Sequence, residues 1–177
     1  MGLEIEPFQR LILSHVFAGR RELLVLIPRG NGKTSLFAAL ALFHLLSVEA
    51  PAIYCAAAGR EQARLLFESA RAMAASRPEL ERRVTPRYNE LRVAGGFLRV
   101  LSSDAPRAHG LQPTLALVDE LHAHQSPDLY VALRTALGKR KGAQLATFST
   151  AGYDHGSRSG ACVRRRWRYR ASSARAR

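Results

Sequence analysis

The chain has few of the features that mark secreted, membrane-spanning or metal-stabilised proteins. Only two of its 177 residues are cysteines, Cys55 and Cys162, so neither a disulfide framework nor a cysteine-based metal site is predicted. No apolar run reaches the roughly 18 residues that suggest a membrane helix. The first residues carry glutamates where a secretory signal peptide carries positive charge. We therefore expect a soluble, intracellular protein.

Acidic residues are also scarce, and charge is spread unevenly along the chain. The sequence holds 27 lysines and arginines against 14 aspartates and glutamates, a formal net charge of +13. Residues 158–177 contain eight arginines and no acid, so the other 157 residues hold 19 basic and 14 acidic side chains, a net charge of only +5. A positive surplus favours a polyanionic partner, with DNA first, because neutralising phosphates releases counterions.

The basic tail, residues 156–177, is open to two interpretations. Trp167 and Tyr169 lie among its arginines, as stacking and phosphate-binding groups do in a nucleic-acid-binding arm. The tail has no apolar periodicity, however, and its arginine, alanine and serine are also typical of GC-rich coding sequence read out of frame. The length suits one domain. We expect that domain over residues 1–155, followed by a disordered tail over 156–177.

A phosphate-binding loop is the most informative feature present. Residues 28–35 read Pro-Arg-Gly-Asn-Gly-Lys-Thr-Ser and lie between an apolar run and an apolar helical pattern. Such glycines let backbone N–H groups converge on phosphate oxygens, Lys33 reaches the β- and γ-phosphates, and Thr34 is placed to bind Mg²⁺. The usual pattern has a further glycine where this chain has Ile27. The predicted nucleotide-binding residues of the loop include Gly30, Asn31, Gly32, Lys33, Thr34 and Ser35.

A pair of carboxylates lies downstream, at the end of residues 115–120, Leu-Ala-Leu-Val-Asp-Glu. Apolar residues that end in two acids are typical of a buried parallel strand whose C-terminal end opens into an active site. We predict that Asp119 holds Mg²⁺, mostly through water, and that Glu120 orients or deprotonates the water that attacks the γ-phosphate. The alternative is that both acids merely end a strand. His122 and His124 follow without further ligands at zinc spacing, so we interpret them as part of a loop beside the site.

Short apolar runs alternate with helical patterns along the chain, which predicts a parallel sheet with crossover helices. A helix start is predicted at Ser126-Pro127-Asp128 and its end at Gly138. The predicted strands are 23–27, 52–58, 115–119 and 144–149, the predicted helices are 34–46, 60–76 and 128–137, and a hairpin joins 92–93 to 97–101.

Four segments, in this order, resemble the ATPase domain of the large terminase subunit of tailed bacteriophages. The segments are Glu6-Pro-Phe-Gln9, Pro28-Arg-Gly-Asn-Gly-Lys-Thr34, Leu117-Val-Asp-Glu-Leu-His122 and Phe148-Ser-Thr-Ala-Gly152, and residues 54–63 and 109–110 are also similar. The resemblance implies an α/β P-loop NTPase fold, a mainly parallel twisted sheet flanked by helices, with the additional-strand, RecA-like order.

The same resemblance adds roles for four residues. Gln9 would recognise adenine, because an amide offers one donor and one acceptor to the base edge. Arg29 would bind the nucleotide and stabilise charge on the γ-phosphate, as arginine fingers do. Ser149 and Thr150 would form the coupling motif, which relays loss of the γ-phosphate to a moving subdomain. The alternatives are a surface glutamine, a salt-bridging loop arginine and a strand-ending hydroxyl pair.

The resemblance also implies cofactors, partners and a setting. It implies ATP and Mg²⁺, double-stranded DNA, the portal protein, the small terminase subunit, a pentameric ring in the intact family, and the cytoplasm of the bacterial host. The family's nuclease domain uses clustered acids, whereas no acid follows Asp154 here. We expect a truncated packaging ATPase without nuclease activity. The alternatives are a helicase-like translocase or another P-loop DNA-dependent ATPase, and a non-catalytic nucleotide- or DNA-binding remnant.

Overall fold

A seven-stranded sheet forms the centre of the computed structural model, which describes residues 5–28, 30–102, 110–124 and 126–149. The strands are β1 (Glu22–Leu26), β2 (Ala52–Ala57), β3 (Thr85–Arg87), β4 (Glu90–Val93), β5 (Gly96–Ser102), β6 (Leu115–Asp119) and β7 (Gln144–Ser149). The α-helices are α1 (Pro7–Phe17), α2 (Lys33–Ser47), α3 (Arg60–Ala75), α4 (Pro78–Glu81) and α5 (Asp128–Ala136). Short 3₁₀ turns cover Leu121–Ala123 and Leu137–Lys139.

The strand order of the described sheet is β1-β7-β6-β2-β5-β4-β3. The pairs from β1 through β5 are parallel, and β4 and β3 continue the sheet as antiparallel strands. A single strand, β7, separates β1, which leads into the phosphate loop, from β6, which ends in the acidic pair. The predicted fold class, including its additional-strand order, is confirmed.

Alternate residues of the central strands face two separate cores. In β2, Ile53 and Cys55 pack with residues of α2 and α3, whereas Tyr54 and Ala56 pack with residues of α5. Every residue of β2 and β6 is buried, as expected for parallel strands covered by helices on both faces. The helices therefore hold the two central strands from both sides and fix the position of their C-terminal ends.

Most predicted boundaries agree with the structure, with several corrections. Strands β6 and β7 have the predicted limits. Helix α5 is capped by Pro127 rather than Ser126, although the Ser126 hydroxyl accepts a hydrogen bond from the Asp128 N–H. It ends at Ala136 and continues as a 3₁₀ turn that contains Gly138, so this glycine does not close the helix. Strand β3 and helices α1 and α4 were not predicted.

Two sequence-based predictions concern the chain as a whole. The predicted boundary at residue 155 and the tail beyond it lie outside the described residues. Within the described ranges, no helix combines the length and the apolar character needed to cross a membrane.

Candidate active site

The phosphate loop turns sharply between β1 and α2, and two glycines make the turn possible. Gly30 and Gly32 both have left-handed backbones, with φ of 83° and 64°. A Cβ atom on Gly32 would also lie 3.3 Å from the Gln9 amide nitrogen, so a side chain there is disfavoured by strain and by crowding. The Asn31 side chain donates a hydrogen bond to the Pro28 carbonyl across the turn. Arg29 lies outside the described residues.

Lys33, the first residue of α2, meets both predicted carboxylates. Its Nζ lies 3.5 Å from Oδ1 of Asp119 and in direct contact with Oε1 of Glu120. The three side chains are only 10%, 11% and 12% exposed. The register explains the meeting, because β7 sits between β1 and β6 and aligns the C-terminal ends of all three strands. The structure therefore joins two motifs that are 86 residues or more apart in sequence.

The electrostatics of Asp119 are those of a carboxylate held in a poorly solvated place. Burial raises the pKa of Asp119 and the negative charge of Glu120 adds to the rise, while the Lys33 ammonium opposes it. Among the described residues, its Oδ1 atom has no hydrogen-bond partner. His124 contacts the C-terminal end of β6. Its ring Nε2 atom donates a hydrogen bond to the Asp119 carbonyl oxygen at 2.9 Å. Burial lowers the pKa of His124.

An open cavity of about 470 Å³ lies beside these side chains. Its volume falls within the range of small-molecule and cofactor sites. His122, which was predicted to lie in a loop beside the site, lines this cavity, and so does Gln62 at the start of α3, which was not predicted there. The lining residues are Pro28, Gly30, Gly32, Lys33, Thr34, Ser35, Gln62, Glu120, His122 and Ala123.

Gln9, the predicted adenine-recognition residue, lies against the phosphate loop. Its Oε1 accepts the Glu6 N–H at 3.1 Å, and its Nε2 donates to the Asn31 carbonyl at 3.5 Å. These contacts cap the start of α1 and tie it to the loop. The side chain is thus beside the nucleotide-binding loop but bonded to backbone, and its role toward adenine stays a prediction.

The acidic strand leaves the sheet through a strained residue. Glu120 has φ of 46° and ψ of 55°, a left-handed conformation that is unfavourable for a long side chain. The following 3₁₀ turn brings His122 back over the site, with its Nδ1 atom 3.1 Å from Oε2 of Glu120 and 2.9 Å from Oγ of Ser149. Ser149, predicted for the coupling motif, therefore lies at the site, whereas Thr150 lies outside the described residues.

The residues present fit a magnesium–nucleotide complex better than a metal site built from protein alone. The described ranges contain no cluster of three or more histidine, cysteine, aspartate or glutamate side chains that could hold a metal. Mg²⁺ usually keeps several waters and takes one or two protein carboxylates together with substrate phosphates. The Oδ1 atom of Asp119, which has an ion-pair contact with Lys33 but no hydrogen-bond partner among the described residues, and the Thr34 hydroxyl at the cavity suit that ligand set.

The fold and this site define a P-loop nucleotide-binding domain. Residues 7–166 match the family described as the terminase large subunit, ATPase domain, and the chain belongs to that family. It is 32% identical over 160 residues to the terminase large subunit of Enterobacteria phage HK97, which covers 84% of this chain and 32% of that protein. The chain thus spans about a third of the length of this curated relative.

Solved structures agree with this assignment. The crystal structure of the HK97 bacteriophage large terminase superposes with a TM-score of 0.77 at 30% identity, over 84% of this chain and 34% of that one. The large terminase of a thermophilic bacteriophage in complex with ATP-γ-S gives a TM-score of 0.61 at 14% identity, over 82% of this chain and 38% of that one. The second likeness shows the shared fold alone.

Proposed function

We propose that this chain binds ATP with Mg²⁺, hydrolyses it, and acts as the ATPase part of a terminase that packages double-stranded DNA. The observation that carries the proposal is the contact of Lys33 with both Asp119 and Glu120 beside a cavity lined by the phosphate loop. Family membership supports it, and so does the thermophilic phage relative with the same fold, which was crystallised with ATP-γ-S.

Binding of ATP would rearrange the contacts of Lys33. Its ammonium lies between two carboxylates and lessens the repulsion between them. The β- and γ-phosphates would compete for this ammonium, while the amides of the loop and of the N-terminus of α2 bind phosphate oxygens. Thr34 and Asp119 would hold Mg²⁺, whose charge offsets that of the phosphates.

Release from Lys33 would leave the Glu120 carboxylate able to act as a base. It would accept a proton from a water molecule whose oxygen forms a bond to the γ-phosphorus. The bond between that phosphorus and the bridging oxygen breaks, which yields ADP and phosphate. General-base catalysis of this kind contributes about 10²- to 10⁴-fold.

Steady-state ATP turnover by the full chain tests the proposal, with Lys33→Ala and Glu120→Gln as the informative variants. We expect each to lower kcat by at least about 100-fold, since each removes a group that acts on the reacting phosphate or water. The matched controls are Lys139→Ala and Glu79→Gln, which change exposed residues on the surface and should leave turnover unchanged. Full activity in both site variants would contradict the proposal. ATP binding without any turnover would favour the non-catalytic remnant.

The packaging role belongs to the whole terminase, so its partners are proposed here from family membership. We propose double-stranded DNA, the portal protein and the small terminase subunit as partners, a pentameric ring as the working assembly, and the bacterial cytoplasm as the setting. Turnover that rises on addition of duplex DNA would support the motor role. The lack of nuclease activity stays a prediction, which incubation with plasmid DNA and divalent cations tests.

A further inference from the structure

His122 joins the ends of two strands at the site. Its Nδ1 atom lies 3.1 Å from Oε2 of Glu120, which follows β6, and 2.9 Å from Oγ of Ser149, which ends β7. The contact with Ser149 is a hydrogen bond, and Oε2 of Glu120 lies within ion-pair distance of the same nitrogen. The Glu120 and Ser149 side chains are well buried, and the His122 ring is 29% exposed where it lines the cavity. One ring nitrogen therefore touches both the predicted base and the predicted coupling residue.

The chemistry of the two neighbours suits a proton on this nitrogen. A hydrogen on Nδ1 would satisfy both, since an ionised carboxylate and a hydroxyl oxygen can each accept it. The Ser149 hydroxyl can share that hydrogen as a second acceptor. Residues at the ends of two strands thus orient the ring, just as neighbouring side chains orient catalytic residues in preorganised sites.

The two oxygens of Glu120 contact different side chains. Oε1 contacts Lys33, and Oε2 contacts His122. If phosphate draws Lys33 away, the His122 contact is the one of these two that persists. Such a contact matters for Glu120 because its backbone has an unfavourable left-handed conformation. A base that is not held in the correct position lowers the rate of the reaction.

We propose that His122 is a positioning residue for ATP hydrolysis: it holds the Glu120 carboxylate in place for water activation and ties it to Ser149 at the end of β7. The inference rests on the proposed function. It predicts that the C-terminal ends of β6 and β7 change conformation together when a nucleotide binds in the cavity or leaves it.

The first test compares His122→Ala with His122→Asn. The asparagine amide offers an N–H near the place of Nδ1, whereas alanine offers none. We expect alanine to lower kcat about 10- to 100-fold with less than about a threefold change in KM, and asparagine to restore most of the loss. His15→Ala, on helix α1, is the matched control and should behave like the wild type. A fall in kcat that asparagine does not restore, or unchanged kcat in the alanine variant, would overturn the inference.

The second test needs no turnover. Amide hydrogen exchange of the nucleotide-free chain reports whether His122 joins the two strand ends. Peptides that cover residues 119–124 and 145–149 should exchange several-fold faster in His122→Ala than in the wild type, and near the wild-type rate in His122→Asn. Equal exchange in all three proteins would overturn the inference. A wild-type chain that binds no ATP and turns none over would overturn the proposed function instead, while the exchange result would still decide the role of His122.

Discussion

Glu120 combines a strained backbone with the carboxylate on which the proposed chemistry depends. Its φ of 46° is one that glycine adopts freely and most other residues do not. Residues held in such conformations cost about 1 to 3 kcal/mol and concentrate at functional sites. The contacts of its two oxygens with Lys33 and His122 help to hold this conformation in the folded chain.

The strain can be measured with two variants that both lack the carboxylate. We expect Glu120→Gly to unfold at a higher urea concentration than Glu120→Ala, with a difference of about 1 kcal/mol in the free energy of unfolding. Both lose the contacts with Lys33 and His122, so the comparison isolates the backbone. Equal stability, or a more stable alanine variant, would show that position 120 is not strained.

His44 should make the stability of the chain depend on pH. Its Nε2 atom lies 3.1 Å from the Thr114 hydroxyl, and burial lowers the pKa of His44 to about 4 from an ordinary value of 6.5. Between these two values the unfolded chain binds a proton that the folded chain does not. Stability should therefore be complete above pH 6.5 and fall as the pH drops toward 4.

The variant His44→Gln keeps a polar group near Thr114 but cannot titrate. Its unfolding free energy should change less between pH 7 and pH 4.5 than that of the wild type, by about 1 to 2 kcal/mol once solvent screening of a half-buried ring is allowed for. Urea unfolding at the two pH values measures the difference. If the unfolding free energies of the two proteins changed equally with pH, His44 would not be the source of the pH dependence.

Helix α2, which carries Lys33, offers a comparison within one element. Phe37 is fully buried and meets Phe148 of β7 edge to face, with ring centroids 4.7 Å apart. Phe43 is 53% exposed and meets Phe17 of α1. Phe37 therefore anchors the helix on the sheet, whereas Phe43 lies on its outer side.

Truncation of the two phenylalanines should have unequal effects. Phe37→Ala leaves a cavity between α2 and β7 and should lower the free energy of unfolding by about 3 to 5 kcal/mol. Phe43→Ala removes a partly solvated contact and should cost less than about 1.5 kcal/mol. Chemical denaturation of both variants gives the comparison. Similar losses would contradict the packing of α2 described above.

Some elements were predictable from the sequence because their pattern is local. Strands β6 and β7 are short apolar runs with clear polar ends, and their limits were predicted to the residue. Strand β3 was missed, since Thr85-Pro-Arg87 is exposed, very short and contains proline. At the site, the loop and the acidic pair followed from their motifs. The loop that holds His122 was also expected beside the site. The placement of Gln62 and the contact of His122 with Ser149 were not predicted, because they depend on how α3 and the left-handed Glu120 turn those side chains toward the cavity.

At the scale of the whole molecule, charge is concentrated in residues 156–177, which hold eight arginines. We expect the chain to bind duplex DNA with an affinity that falls as salt rises, because each neutralised phosphate adds about 0.9 to the slope of log affinity against log salt. Replacing the eight arginines by glutamine, at constant length, should weaken binding and flatten that slope. A titration at several salt concentrations measures it, and an unchanged slope would show that the tail takes no part.

The middle position of β7 limits how the sheet can move. This strand is hydrogen-bonded to β1 on one side and to β6 on the other, so sliding it would break two ladders at once. Its register is therefore costly to change. A displacement that follows loss of phosphate would therefore be easier as a shared movement of β1, β7 and β6 than as a shift of β7 alone between its neighbours. Any mechanical output of the site would then act on these three strands as one unit.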